Sequence, residues 1–314
     1  MATYQTYQEV GIKENISDVI TNISPKKTPF MSSIGTEKVH QPIYQWQEDS
    51  LRAVSATTQV EGADASEITA VPTVMRSNYT AIFSEAVKVS GTTQSTQAYG
   101  RAKELAYQMA KSAAALKRDV ENAFVGTAAA AAAGNSSTAR VTAGAQTMIT
   151  GAGTSTFASQ SGNVFFMNTG VNLTETVLVN ALQAAFVAGG EPTRILVTPS
   201  NSIVIAGFAS SSGRYRTIQD STVGNKTTLV NAVNLYVSPF GEQVVEVDRF
   251  IRAKNTLIYD PDMWSMTVLR PWTRENLAKV GDSERMLLVG EMGLKHKNFS
   301  ASAIVVDNAA GSAF

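Results

Sequence analysis

Two pairs of carboxylates carry the spacing that catalysis or cation binding would need. Glu246 and Asp248 lie two residues apart in a strand-like run, so both project from one face, while Asp260 and Asp262 flank Pro261 in a turn. Either pair could hold a hard cation or divide the roles of general acid and general base. Neither has a third ligand or a basic partner nearby in sequence, and a solvated strand face and an Asx–Pro turn account for them more simply. The two histidines, His40 and His296, are far apart in the chain, so a histidine-based metal site or triad would depend on chance proximity. Cysteine is absent, which removes disulfides, thiolate metal sites and cysteine nucleophiles together. No G-x-x-x-x-G-K-[ST] or G-x-S-x-G motif occurs, and Gly151-Ala-Gly153 lacks the third glycine and the strand-to-helix context of a dinucleotide fingerprint. The expectation is a protein without catalytic, cofactor or metal sites.

Charge points the same way. The 314 residues hold 26 Lys plus Arg and 26 Asp plus Glu, so no net field draws the chain to nucleic acid or to an anionic membrane. Small basic clusters at Lys26-Lys27, Lys117-Arg118 and Lys295-His296-Lys297 leave room for local, nonspecific contact with nucleic acid. No run of about 20 apolar residues and no leader-like segment is present, so a soluble protein made in the cytoplasm is expected, with no membrane partner.

The elements that would position any site follow from periodicity. Ile12, Ile16, Val19, Ile20 and Ile23 recur at helical spacing before Pro25, which predicts a short amphipathic helix in an N-terminal arm. Strand-like runs at His40–Gln47 and Ser77–Val89 flank a polar stretch, Arg52–Pro72, that contains Glu61, Asp64 and Glu67. Together they predict a long two-stranded finger with an acidic tip, which would need a neighbour to lie on. Ala98, Ala102, Leu105, Met109, Ala113, Leu116, Val120 and Phe124 predict one helix over Thr93–Val125, about 45 to 50 Å long, with Lys117 and Glu121 as an exposed (i, i+4) pair. The alanine, glycine and serine-rich segment from 126 to 162 reads as a loop or loosely ordered insertion. Beyond it come a strand at Val164–Met167, a helix at Glu175–Ala188 capped by Thr174 and closed by Gly189-Gly190, and a strand at Ile195–Val197. A helix then passes through Ile203 and Phe208, and strands follow near 234–237, 244–247, 256–259, 264–269, 286–289 and 303–306.

This order of elements resembles that of tailed-bacteriophage major capsid proteins of the Hong Kong 97 type. The local sequence agrees: Gly11–Phe30 (GIKENISDVITNISPKKTPF), Tyr44–Leu51 (YQWQEDSL) and Gly100–Leu105 (GRAKEL) are similar to a capsid family of podovirus-like and related phages. Ile195–Ser202 (ILVTPSNS), leading to Gly213-Arg214-Tyr215, and Leu257–Trp264 (LIYDPDMW) fit the same pattern. The resemblance covers most of the chain and is poorest over 127–162.

The resemblance implies an α+β capsid fold with an arm at 1–38, an extended loop at 39–90 that overlaps the adjacent subunit, and a peripheral domain at 91–192 and 253–314 with its spine helix at 93–125. An axial domain would occupy 193–252, with loops near 210–226 gathered around the five- and six-fold axes. Arg52, Glu61, Asp64, Glu67 and Arg76 of the extended loop, and Arg214, Arg216 and Asp220 of the axial loops, are the candidate inter-subunit contacts. It further implies self-assembly as hexamers and pentamers into the icosahedral head that encloses the genome. The implied partners are a separate scaffolding protein, a portal, a decoration protein and nonspecifically contacted DNA. The lysine, asparagine and glutamate of self-crosslinking members cannot be mapped. An encapsulin-like compartment shell is the nearest alternative. A carboxylate-dependent enzyme built on Asp260 and Asp262 is the third, and in that case replacing both by asparagine would abolish turnover.

Overall fold

The structure is a computed structural model that describes residues 23–52, 54, 57–64, 67, 72–150, 164–167, 173–211 and 234–307. The expected arm helix at 10–24 falls almost wholly outside these residues. In chain order the described elements are α1 (Pro29–Ser33), β1 (Gly35–Lys38), β2 (Ile43–Glu48), β3 (Val74–Tyr79), β4 (Ala81–Ser90), α2 (Gly91–Ser95), α3 (Glu104–Glu121), α4 (Ala145–Thr150), β5 (Val164–Met167), α5 (Glu175–Val187), β6 (Arg194–Val197), α6 (Pro199–Ser211), β7 (Leu235–Ser238), β8 (Gly241–Val247), β9 (Thr256–Tyr259), β10 (Trp264–Leu277), β11 (Ser283–His296) and β12 (Ala303–Asp307).

They form three sheets. Four strands run in the order β1-β10-β11-β4, six in the order β5-β12-β9-β6-β8-β7, and β2 pairs with β3 alone. The six-stranded sheet divides two hydrophobic cores, which explains the continuous apolar wording of its central strands. Leu196, Leu257, Tyr259, Ile304 and Val306 join one core with Phe30, Trp46, Phe124, Met148, Ile149, Trp264 and Phe299. Ile195, Val197, Ile258 and Val305, alternating with them along the same strands, join the other beneath Leu178 and Leu182 of α5 and Ile205 of α6. The cap expected for α5 is present: the Thr174 hydroxyl accepts the Val177 N–H, and Gly189 takes φ +93 just past the helix.

Two expectations change. The helix expected over 93–125 is two helices separated at 96–103, where Gly100 adopts φ +74 and breaks the ladder that Ala98 and Ala102 had appeared to continue. α3 has 18 residues, so at 1.5 Å each it spans about 27 Å. It continues into a π-turn at Asn122–Gly126 that buries Phe124 and Val125. Gly126 is required there, since a Cβ would sit 2.5 Å from the Phe250 carbonyl oxygen.

The segment expected to be a loose insertion is built into the protein over its described part, 127–150. Ala132 and Val141 pair in a bridge, the Asn135 side chain accepts the N–H groups of Ser137 and Thr138, and α4 places Met148 and Ile149 fully inside the first core. Small residues permit this close passage: a Cβ on Gly144 would lie 2.8 Å from the Thr127 carbonyl oxygen. Of the strands after residue 252, β10 and β11 join β1 and β4 in the four-stranded sheet, while β9 and β12 pair with β6 and β5 in the six-stranded one.

Candidate assembly surfaces and the buried polar clusters behind them

The finger rests on residues that sequence spacing did not single out. β2 and β3 pair antiparallel from Ile43↔Tyr79 to Glu48↔Val74, so the run expected at Ser77–Val89 is divided at Thr80 between this ribbon and β4, which pairs with β11. At the ribbon's base the Tyr44 hydroxyl and the Asn78 amide both donate to the Leu294 carbonyl, at 2.6 and 2.7 Å. Gly293 lies beneath them because a Cβ there would sit 2.6 Å from the Tyr44 hydroxyl oxygen. Glu48 accepts from the Arg76 guanidinium and from the Phe299 N–H, at 2.8 and 2.9 Å, and that guanidinium lies 4.7 Å over the Phe299 ring. Arg76 was a candidate contact between subunits, but it is 4% exposed and engaged within its own chain. Its register opposite Trp46 and the diagonal Glu48 hold it inward.

Beyond this base the described residues are open to solvent. Arg52, Glu61, Asp64 and Glu67 are all exposed, in keeping with an acidic tip. Leu51, Val54 and Val60 stand among them at 98, 103 and 82% exposure. Their sequence signal was their isolation, as branched residues inside a nonperiodic polar stretch. Arg214, Arg216 and Asp220 lie outside the described residues.

The residues first considered for chemistry do not converge. Asp260 is an N-cap whose carboxylate accepts the Asp262 N–H at 3.1 Å, which is the turn role. Glu246 pairs with Arg194 across strands, while Asp248, past the end of β8, accepts the Phe250 N–H at 2.9 Å. No group of three or more His, Asp or Glu suited to a metal exists among the described residues. His40 is exposed. His296 is fully buried, stacked on Trp264 with ring centroids 3.8 Å apart and hydrogen-bonded to Ser302, and burial pushes its pKa down to about 3, so it is neutral. In the basic cluster at 295–297, Lys295 pairs with Glu37, and Lys297 is exposed and donates to the Asp262 carbonyl.

Two buried carboxylates organise the interior, and spacing misread one of them, Glu121. Glu291 accepts from Thr80, Arg140 and Arg270, tying the 127–150 segment to the four-stranded sheet. Glu121 was expected on the surface with Lys117, yet it is 0% exposed, and its two oxygens accept the Phe30 and Met31 N–H groups at 2.8 Å each. Burial is the main cause that lifts its pKa to about 7, and the nearby Asp248 adds to it.

Comparison with known proteins gives a consistent result. The family described as SU10 major capsid protein matches residues 1–309. The major capsid protein of Escherichia phage Phieco32 is 28% identical over 344 aligned positions that cover 96% of each chain. Among solved structures, the capsid of a native GTA particle superposes with a TM-score of 0.63 at 12% identity, covering 94% of both chains. The capsid of Cyanophage P-SCSP1u gives 0.60 at 11% identity, covering 94% of this chain and 92% of the other. The α+β fold is thus that of phage capsid subunits, and neither the compartment-shell nor the enzyme reading is favoured.

Proposed function

This chain belongs to the SU10 major capsid protein family, and from that premise we propose how it builds its shell. As the major capsid protein of a tailed phage it is a self-associating structural subunit of the virion capsid, and its architecture is read as the Hong Kong 97 type. The finger formed by 39–90 overlaps an adjacent copy. The four-stranded sheet with α3 serves as the peripheral domain, and the region around 193–252 serves as the axial domain, with its loops at the five- and six-fold axes of pentamers and hexamers. Subunits are made in the host cytoplasm, assemble around a separate scaffolding protein onto a portal, and contact packaged DNA without reading its sequence. A decoration protein on the outer surface completes the set of partners. The chain carries out no catalysis in this reading.

The observation that supports it best is the finger: a ribbon clamped at its base by Tyr44, Asn78, Glu48 and Arg76, carrying Leu51, Val54 and Val60 into solvent. Covering such side chains on a neighbour contributes roughly 1.5 to 3 kcal/mol apiece, repeated at every copy. Replacing all three by serine is therefore expected to leave the melting temperature of the unassembled subunit unchanged, since these side chains touch little in their own chain, while abolishing closed shells at concentrations where the parent forms them. Shells formed in undiminished yield would overturn the overlapping-finger reading.

A further inference from the structure

Two exposed regions of the chain carry opposite charge. The segment between β2 and β3, residues 49–73, holds Asp49, Glu61, Asp64 and Glu67 against Arg52 alone. Glu61 sits in a turn in which the Ala63 N–H donates to the Val60 carbonyl at 3.0 Å, and Gly62 takes φ +86, which glycine adopts without strain. Glu61, Asp64 and Glu67 are all exposed there.

The region of opposite sign is an open cleft of about 520 Å³ where the end of α3, the start of α6 and the turn after β8 meet. Arg249, Arg252 and Lys254 line it and no acidic residue does, while the carboxylates adjacent in the chain, Glu121 and Asp248, are 0 and 1% exposed. Thr198 and Ser200, at the start of α6, line it as well, so the positive end of that helix dipole adds to the side-chain charge. The turn is pinned through its backbone: the Arg252 N–H donates to the Val125 carbonyl at 3.2 Å, and the Lys254 carbonyl accepts the Asn201 side-chain amide at 2.9 Å. Lys254 has φ +61 and is the one non-glycine residue in the left-handed region among the described residues. Glycine or asparagine would fit that backbone with less strain, so a lysine there points to a use for its charge. None of the acidic tip residues of the same chain lines this cleft.

We propose that the cleft is the seat of the acidic finger tip of an adjacent copy, with Glu61 and Asp64 set against Arg249 and Lys254, an assignment that rests on the overlapping-finger reading and adds where the tip lands. Complementary charge of this kind fixes the register of a contact and opposes wrong pairings, while the bare aliphatic side chains of the finger supply apolar contact. The contact is heterologous, tip to cleft, so it runs from copy to copy around a closed ring.

Charge reversal in the full chain tests this, with shells counted by electron microscopy and a scaffolding protein co-expressed if the parent needs one. Arg249→Glu/Lys254→Glu and Glu61→Lys/Asp64→Lys should each lower shell yield about tenfold, the size of two exposed ion pairs turned repulsive. All four residues are exposed, so the melting temperature of the unassembled subunit should not change. The four substitutions together should restore the parent's yield. If the glutamates at 249 and 254 lower the melting temperature, Arg249→Gln/Lys254→Gln replaces them and should lower the yield on its own. Full yield in either reversal or in the glutamine variant, or no recovery in the combined variant, would overturn the proposal. So would a cleft reversal that leaves shell yield intact and lowers only the DNA they retain, which would make the cleft a phosphate contact. Failed recovery together with loss of shells in Leu51→Ser/Val54→Ser/Val60→Ser would leave the overlapping finger standing and remove only its seat, whereas full yield in that variant would remove the finger itself.

Discussion

Glu48→Ala is expected to destabilise the subunit by about 3 to 5 kcal/mol, a large share of the roughly 5 to 15 kcal/mol that holds a folded protein together. The cost does not come from losing attraction between two surface charges. The side chains of Arg76 and Glu48 are 5 and 10% exposed, so alanine leaves a guanidinium buried without its counter-charge. The same substitution removes the acceptor of the Phe299 N–H and loosens the ring on which the guanidinium lies. Urea unfolding of the single variant, the complementary Arg76→Met and the double variant Glu48→Leu/Arg76→Met separates these contributions. The double variant should recover the part of the loss due to the stranded guanidinium, because an apolar pair of similar volume incurs no desolvation penalty, and retain the part due to the Phe299 N–H. A loss below about 1 kcal/mol in Glu48→Ala would mean that the finger's base is not held by this pair.

Phe30→Ala is expected to have a comparable effect, about 3 to 5 kcal/mol, for a different reason. The phenyl ring is fully buried between Tyr259 and Trp264, so its removal opens a cavity in the first core. It also removes the apolar anchor of α1, leaving the bonds to Glu121 to hold the segment. The near-ultraviolet circular dichroism of Trp264 should weaken along with the stability. A variant as stable as the parent would show that α1 is not part of the core.

The sequence was most legible where structure is decided locally. Thr174 before an apolar helix and Gly189 behind it specify α5 through two short-range effects, and both appear where periodicity placed them. The apolar runs at 195–197, 256–259 and 303–306 are strands buried on both faces, as such runs require. Legibility failed where the deciding partner is distant in the chain. Lys117 and Glu121 fit the spacing of a surface pair, but the carboxylate's true partners are backbone N–H groups of α1. Arg76 looked like a surface contact because nothing in its neighbourhood announces Glu48 or Phe299. The alanine-rich stretch carries no period, so the burial of Ala143, Ala145, Met148 and Ile149 left no pattern to read. Helical spacing ran through Gly100 without registering that a left-handed residue ends the ladder there.

On this account the chain closes on copies of itself as a capsid shell. The direct measurement is electron microscopy of the purified protein, alone and co-expressed with a scaffolding protein. Closed shells, or the tubes, sheets and five- or six-membered rings made by the same contacts, are the predicted result. Uniform small particles under both conditions would contradict it.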